Sequence, residues 1–181
     1  MADAPEQSRT ERLLKLPLTS RGTEMGDLLR LFWHPVARSV TILPGRARAL
    51  RVLGEDLTLY RGESGTPHLV GGLCPHRRTL LHTGWVQGDT LRCMYHGWRF
   101  DAAGTCLERP AETVPPSQDL RIVSYPVHEY GGLLFAWLGD GPAPAFDLPR
   151  KEAFEQEKVL LFTREETWPC NWLQQVENSL D

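Results

Sequence analysis

The sequence lacks any long apolar run, any basic excess and any segment resembling a secretory signal. Its longest apolar runs, such as residues 133–138, fall far short of the ~20 residues that a membrane span needs. The 20 basic and 23 acidic residues give a net charge of -3, which provides no reason to expect a nucleic-acid surface. The N-terminus is polar and acidic rather than basic and apolar. We therefore expect a cytoplasmic protein with neither membrane nor nucleic-acid partners.

Cysteine is scarce, and the four present are more plausibly metal ligands or core thiols than disulfides in a cytoplasmic chain. Turn formers are abundant instead. The 16 Gly and 14 Pro occupy 30 of 181 positions, about 17% against ~12% in average proteins. This composition predicts a turn-rich, mainly β fold. The length fits one domain of ~100–150 residues and a remainder too short for a second of ordinary size.

The apolar pattern divides the chain into four parts. Residues 1–24 are expected to form a mobile arm, and residues 25–138 a β domain that opens with a short amphipathic helix. Residues 139–149 hold three prolines and two glycines and predict a linker. Residues 150–181 then predict the beginning of another domain, with a strand at 159–163 and a helix from Cys170.

Short strands are predicted throughout the β domain, in two groups. The first group, at residues 36–43, 49–53, 57–60 and 68–70, predicts an antiparallel meander. The second group, at residues 122–127 and 133–138, is joined by a turn at Gly131 and Gly132. Its last member is apolar throughout, which predicts a buried strand.

Two Cys and two His occur as matched pairs between these groups. Cys74 and His76 form one pair and Cys93 and His96 the other, in the pattern C-x-H-x16-C-x2-H. This ligand set suits either tetrahedral zinc or a Rieske [2Fe–2S] cluster, in which two Cys hold one iron and two His the other. Zinc fingers usually pair like ligands within one turn. Mixed pairs favour a two-iron cluster between two opposed loops, and a structural zinc module is the alternative.

The surrounding residues resemble a known family. The Cys74-Pro75-His76-Arg77 run, followed by Cys93-Met94-Tyr95-His96-Gly97-Trp98, is similar to the cluster motif of Rieske non-haem iron oxygenase α subunits. Further similarity at Met25-Gly26-Asp27-Leu28, Trp33-His34-Pro35-Val36 and Arg77-Arg78 indicates the phthalate dioxygenase-like branch of this aromatic ring-hydroxylating and demethylating family. At Arg78 many members carry Gly. Respiratory Rieske proteins carry an additional Cys in each loop, and this chain has Thr79 and Tyr95 there.

The resemblance implies a Rieske-type antiparallel β-sandwich with a small cluster-binding subdomain, followed by the truncated start of an α+β catalytic domain at residues 150–181. It implies that Cys74, His76, Cys93 and His96 hold the cluster. Asp181 matches the bridging carboxylate that links a Rieske histidine of a neighbouring subunit, here His96, to a mononuclear Fe(II) site of the full-length parent. That site's own ligands are absent here.

The resemblance also implies a reaction and its partners. An NAD(P)H-dependent reductase or a ferredoxin would supply electrons, and O2 would hydroxylate or demethylate an aromatic or related small organic substrate. The expected assembly is a homotrimer or a multiple of one. The alternative is a stand-alone Rieske ferredoxin-like electron carrier. The extension past Leu138 argues against it, because a small carrier would not need these residues.

Residues around the cysteine loops carry weaker signals. Arg77 and Trp98 are candidates to pack on the cluster. For Arg77 the alternative is a solvated surface charge. Residues 77–109 contain five Arg and three acidic residues, a local excess of positive charge. This excess either steers an acidic reductase towards the site or belongs to an ordinary mixed surface. The remaining histidines and cysteines are expected to be structural: His34, His68, His82, His128, Cys106 and Cys170.

Overall fold

The computed structural model describes residues 9–117, 119–156 and 159–180. Short antiparallel strands dominate it, which confirms the mainly β prediction. The strands are β1 (Trp33–Arg38), β2 (Arg46–Val52), β3 (Glu55–Arg61), β4 (Pro67–Gly71), β5 (Trp85–Gln87), β6 (Thr90–Arg92), β7 (Arg99–Phe100), β8 (Cys106–Glu108), β9 (Ser124–Tyr125), β10 (Val127–Tyr130) and β11 (Leu133–Trp137). The helices are α1 (Arg9–Lys15), α2 (Glu24–Leu29), α3 (Glu152–Glu155) and α4 (Trp172–Leu180).

A four-stranded sheet in the order β2-β3-β4-β9 forms the middle of the fold. Its first three strands are successive antiparallel neighbours, as the predicted meander requires. β2 and β3 are joined by Leu53 and Gly54, whose φ angles of 47° and 80° are both left-handed, as a tight two-residue hairpin demands. Leu53 accepts this conformation and packs its side chain against the apolar core.

The strand predicted at residues 36–43 has different bounds and belongs to a different sheet. It spans Trp33–Arg38, ends in a 3₁₀ turn at Ser39–Thr41, and pairs with β11 rather than with the meander. The three-stranded sheet β1-β11-β10 results. β11 is buried along most of its length, so it needs a neighbour on each side, and β10 supplies only one. The turn at Gly131 and Gly132 is as predicted, but the strand predicted at residues 122–127 is divided: Ser124–Tyr125 is β9 and pairs with β4, and the strand that pairs with β11 is Val127–Tyr130.

A second four-stranded sheet, β5-β6-β7-β8, carries the histidine and cysteine region, and its strands of two or three residues were not predicted. Two apolar cores hold the sheets together. One lies between the two four-stranded sheets and includes Tyr60, Leu91 and Phe100. The other lies between the middle sheet and the three-stranded sheet and includes Leu59, Leu69 and Leu134. The middle sheet therefore packs against an apolar core on each of its two faces.

The chain outside the sheets departs from the predictions in three places. Residues 9–15, predicted as part of an irregular arm, form α1. Residues 159–163 form no strand in the described chain. The Val159 N–H donates to the Gln156 carbonyl at 3.3 Å, and Arg38 Nη1 donates to the Thr163 carbonyl at 2.9 Å. α3 was not predicted. The predicted terminal helix is present as α4. No described helix has the length and apolar character needed to cross a membrane.

Candidate metal centre

The first loop, between β4 and β5, holds Cys74 and His76 in a closed conformation. Leu73 bridges Leu80 across its base, and the Cys74 N–H donates to the Thr79 carbonyl at 2.9 Å. The Arg78 N–H donates back to the Cys74 carbonyl at 2.8 Å. These backbone bonds close the loop around Cys74 and His76 without help from a long helix or strand.

The second loop, between β6 and β7, repeats this geometry. The Cys93 N–H donates to the Trp98 carbonyl at 2.8 Å, and the Gly97 N–H donates to the Cys93 carbonyl at 3.1 Å. In both loops the bonded positions lie five and four residues after the cysteine. Position 97 has a φ of 74°, which glycine adopts without strain. The two loops thus present their ligands as nearly matched halves.

The cysteine side chains form the inner end of the site. Cys74 and Cys93 are each only 2% exposed, and their thiols lie within hydrogen-bonding reach of each other. Burial, with the Cys93 thiol adding to it, raises the pKa of Cys74 to about 11, although the backbone N–H groups of His76 and Arg77 point at its sulfur and oppose the rise. A thiolate pair would therefore need a metal cation between the sulfurs.

The histidine side chains form the outer end. The His76 and His96 rings lie edge to face with centroids 4.5 Å apart. His96 is exposed and His76 half-buried, yet His76 Nδ1 is buried and has no hydrogen-bond partner. A buried imidazole nitrogen without a partner costs free energy unless something binds it. Two adjacent imidazoles at the outer end and two adjacent sulfurs at the inner end fit a two-iron cluster.

The fit to a single ion is poorer. Across the described ranges no three side chains of Cys, His, Asp or Glu converge on one point suitable for a metal ion. A tetrahedral zinc site would require all four ligands at about 2.0–2.3 Å from one centre. The paired arrangement instead matches a cluster in which two cysteines bind one iron and two histidines bind the other.

Comparison with known proteins decides the family. The sequence profile of the Rieske [2Fe–2S] domain matches residues 32–126, a little over half of the chain, and both loops lie within the match. The chain belongs to the Rieske [2Fe–2S] domain family. The cofactor of that family is the [2Fe–2S] cluster.

Similar proteins are oxygenase subunits. The chain is 44% identical to the 5,5'-dehydrodivanillate O-demethylase oxygenase subunit of Sphingobium sp. (strain NBRC 103272 / SYK-6), over 92% of this chain and 40% of the relative. It is 33% identical to the phthalate 4,5-dioxygenase oxygenase subunit of Pseudomonas putida, over 87% of this chain and 36% of the relative. The chain thus spans about two fifths of the length of these relatives.

A solved structure gives the same answer for the fold. Dicamba monooxygenase with non-haem iron and dicamba superposes with a TM-score of 0.65 and 28% identity, over 72% of this chain and 40% of that one. The resemblance to Rieske oxygenases, including the phthalate dioxygenase-like branch, and the Rieske-type fold are confirmed.

Trp98 and Arg77 behave differently in the Rieske domain. Trp98 stacks on His76 with ring centroids 4.9 Å apart and planes 4° from parallel, so it packs directly on a candidate ligand. Arg109 lies over the Trp98 ring at 5.7 Å and also pairs with Glu112. Arg77 is exposed, and its side chain has no partner among the described residues. Of the two possibilities for Arg77, the solvated charge is therefore the one observed.

Several supporting residues gave no signal in the sequence. Arg92 Nη1 donates to the Gly97 carbonyl at 2.7 Å and so braces the second loop, and both Arg92 and Arg99 pair with Glu108. An Arg and a Glu 16 residues apart on short strands form no recognisable motif. Cys106 is buried, as predicted for a core thiol, whereas Cys170 is exposed.

Three of the four remaining histidines contact structural neighbours. His34 Nε2 lies 2.6 Å from the Leu29 carbonyl, and His128 stacks on Phe146 at 4.0 Å. His68 packs against Tyr60 at 4.9 Å, and burial lowers its pKa.

Asp181 lies outside the described residues. In α4, which precedes it, Gln174 and Asn178 of the predicted polar stripe are exposed.

Proposed function

We propose that Cys74 and Cys93 bind the inner iron of the Rieske cluster and that His76 and His96 bind the outer iron. The observation that carries the proposal is the pairing of two buried thiols with two adjacent imidazoles, one of which has a buried and unpartnered Nδ1. When bound, such a cluster supplies one-electron transfer at roughly -150 to +300 mV.

Surrounding groups would each contribute to this binding. The N–H groups of His76 and Arg77 point at the Cys74 sulfur and would stabilise its thiolate form, as outer hydrogen bonds do in other metal sites. Trp98 would fix the ring plane of His76 and keep water from one side of it. His96, exposed at the outer end, would be the ligand nearest to a redox partner.

We further propose that the domain is the electron-accepting part of an oxygenase. An NAD(P)H-dependent reductase or a ferredoxin would supply electrons, and a mononuclear Fe(II) site elsewhere in the complete protein would use them with O2. The substrate would be an aromatic or related small organic compound that is hydroxylated or demethylated. The names of the demethylase, phthalate dioxygenase and dicamba monooxygenase relatives support this proposal.

The ligand assignment is tested by reconstituting the chain with iron and sulfide and measuring metal content, visible absorption and EPR after reduction. We expect two irons and two sulfides per chain, a red-brown colour and nitrogen couplings from two imidazoles. Cys74→Ser should abolish the cluster. Cys106→Ser, a matched change at another buried cysteine, should retain it. Tight zinc binding without a chromophore would contradict the assignment.

Asp181 is proposed as the carboxylate that links the cluster to the mononuclear iron. In the complete oxygenase, Asp181→Asn should leave the cluster reducible, because none of the four ligands changes. Product formation coupled to electron consumption should be lost. Unaltered product formation by this variant would remove Asp181 from the electron path.

A further inference from the structure

The Trp98 ring connects a candidate ligand to a largely buried positive charge. The indole stacks on His76, and the guanidinium carbon of Arg109 lies 5.7 Å from the indole centroid, a cation–π contact. Since the Trp98 and His76 centroids are 4.9 Å apart, this carbon is no more than about 11 Å from the imidazole centroid. Trp98 is only 9% exposed, so water has little access to the stack.

The fold fixes the Arg109 guanidinium with three acceptors. Nη1 pairs with the Glu112 carboxylate, and Nη2 donates to the carbonyls of Val114 at 2.9 Å and Pro115 at 3.2 Å. The side chain is 16% exposed, and its Nε is buried without a partner in the described chain. Keeping a cation largely out of water costs free energy, so this placement points to a use beyond surface solvation.

The segment that carries Arg109 also packs on the second cysteine loop. Pro110 lies against Gly97, where an added Cβ would meet Pro110 Cγ at 3.1 Å. The position of the charge is therefore fixed relative to both loops, through Trp98 and His76 to the first and through Pro110 to the second.

The charges of Arg109 and Glu112 act on the core that contains the candidate cysteine ligands. Burial raises the pKa of the Cys106 thiol, the positive charge of Arg109 opposes that rise, and the negative charge of Glu112 adds to it. Cys106 shares its apolar core with Cys74 and Cys93. The two charges thus influence this core with opposite signs.

We propose that Arg109 is a positioning residue that, across the Trp98–His76 stack, raises the reduction potential of the cluster, and that Glu112 limits this effect. The inference rests on the proposed electron-accepting function. One electron from the reductase or ferredoxin makes one ferric iron ferrous and adds one negative charge to the cluster. A nearby positive charge stabilises this more negative state. Groups around such clusters are known to set their potentials.

Four substitutions separate the charge of Arg109 from its packing. Arg109→Met removes the charge and keeps an apolar chain against the indole, whereas Arg109→Lys keeps the charge and loses the planar fork. Glu112→Gln removes the opposing charge. Arg12→Met is the matched control, since it removes the positive member of another Arg–Glu pair, on α1 and outside the three sheets. The measurement is equilibrium reduction of the complete oxygenase, followed by the EPR signal of the reduced cluster. Thermal unfolding of each variant is recorded in parallel.

We expect Arg109→Met to lower the equilibrium constant for one-electron reduction about three- to tenfold, which is a fall of about 30–60 mV. Glu112→Gln should raise this constant about twofold, a smaller change because the carboxylate is 40% exposed and screened by water. Arg109→Lys and Arg12→Met should keep the wild-type potential. Arg109→Lys should nevertheless unfold at a lower temperature, because an ammonium group does not reproduce the bonds of the guanidinium fork.

Other results overturn the proposal. Equal potentials in Arg109→Met and wild type would exclude an electrostatic role. A fall in Arg109→Lys as large as that in Arg109→Met would assign the effect to packing, and the same fall in Arg12→Met would assign it to net charge. If Arg109→Met does not retain the cluster, Glu112→Gln decides: a higher potential supports the proposal, and an unchanged or lower one refutes it.

Failure of the proposed function is distinguishable from failure of this inference. A wild-type protein that gives no EPR signal of a reduced Rieske cluster would refute the electron-accepting function itself. A normal signal with unshifted potentials in the Arg109 and Glu112 variants would refute only the role of Arg109.

Discussion

At the scale of single residues, Gly104 allows the turn that leads into β8. Its φ is 81°, and an added Cβ would lie 2.1 Å from the Ile122 carbonyl oxygen, a backbone atom that cannot move aside. Gly104→Ala should therefore lower the free energy of unfolding by about 3 kcal/mol or more. Gly88→Ala is the control, because Gly88 has a φ of 58° and open space around it. Strain alone should cost it about 1 kcal/mol. Equal losses in urea unfolding would show that the collision with Ile122 is relieved.

Residue chemistry also decided how well the site could be predicted. Cys74, His76, Cys93 and His96 were recognisable because a mixed Cys and His pattern has few uses in proteins. Their supports were not. Arg92, which binds the Gly97 carbonyl, has the same local sequence character as any surface arginine. The left-handed φ of 54° at Arg78 was likewise invisible, since residue type alone would place this backbone angle elsewhere.

At the scale of elements, one hairpin contact joins the cluster-bearing sheet to the middle sheet. Asp89, at the turn between β5 and β6, accepts hydrogen bonds from the Ser64 side chain at 2.7 Å and backbone N–H at 3.2 Å, and its own carbonyl accepts from Tyr60 Oη at 3.1 Å. Gly62 leaves room for this, as a Cβ there would lie 1.8 Å from Asp89 Oδ1. The contact, with the shared core, sets where the two loops of the candidate metal centre lie relative to the rest of the domain.

Elements were predictable where neighbours in sequence are neighbours in space. The meander β2-β3-β4 and the turn between β10 and β11 join adjacent segments through turn residues, so local pattern sufficed for them. It did not suffice for residues 122–127, which divide between β9 and the start of β10. β1 was assigned to the wrong sheet because its partner, β11, lies about a hundred residues away and no local signal names a distant partner. β5 to β8 are too short for alternation to be visible, and they exist because the loops and core fix them.

At the scale of the whole molecule, Glu55 links segments that are far apart in sequence. Its carboxylate accepts hydrogen bonds from Arg30 at 2.7 Å and Arg21 at 3.1 Å, and from Tyr125 of β9. Arg21 also bonds to the Leu138 carbonyl at 3.1 Å, at the end of the sheet region. Glu55 therefore joins the N-terminal segment, the end of α2 and the middle sheet, and Arg21 extends this network to the end of β11.

The Glu55 network predicts how stability depends on pH. Burial opposes ionisation, but hydrogen bonds from Arg30 and Tyr125 and the charge of Arg21 lower the pKa of Glu55 below its usual value. A lowered folded-state pKa means that the ionised carboxylate stabilises the fold above the unfolded pKa of about 4.3, and that this stabilisation is lost as pH falls through the folded value. Glu55→Gln should cost about 2 kcal/mol at pH 7, because Arg30 is only 4% exposed and loses its counter-charge.

The corresponding measurement is urea unfolding of wild type, Glu55→Gln and Glu63→Gln between pH 7 and pH 3.5. Glu63 is an exposed carboxylate in the turn that follows β3, and its loss should change little. The difference in the free energy of unfolding between wild type and Glu55→Gln should narrow below pH 4.5. Protonation then removes from the wild type the negative charge that the substitution has already removed from the variant. Because acid affects the cluster alike in all three proteins, their differences report the carboxylate. A gap that stays constant down to pH 3.5 would mean that Glu55 acts through packing rather than through its charge.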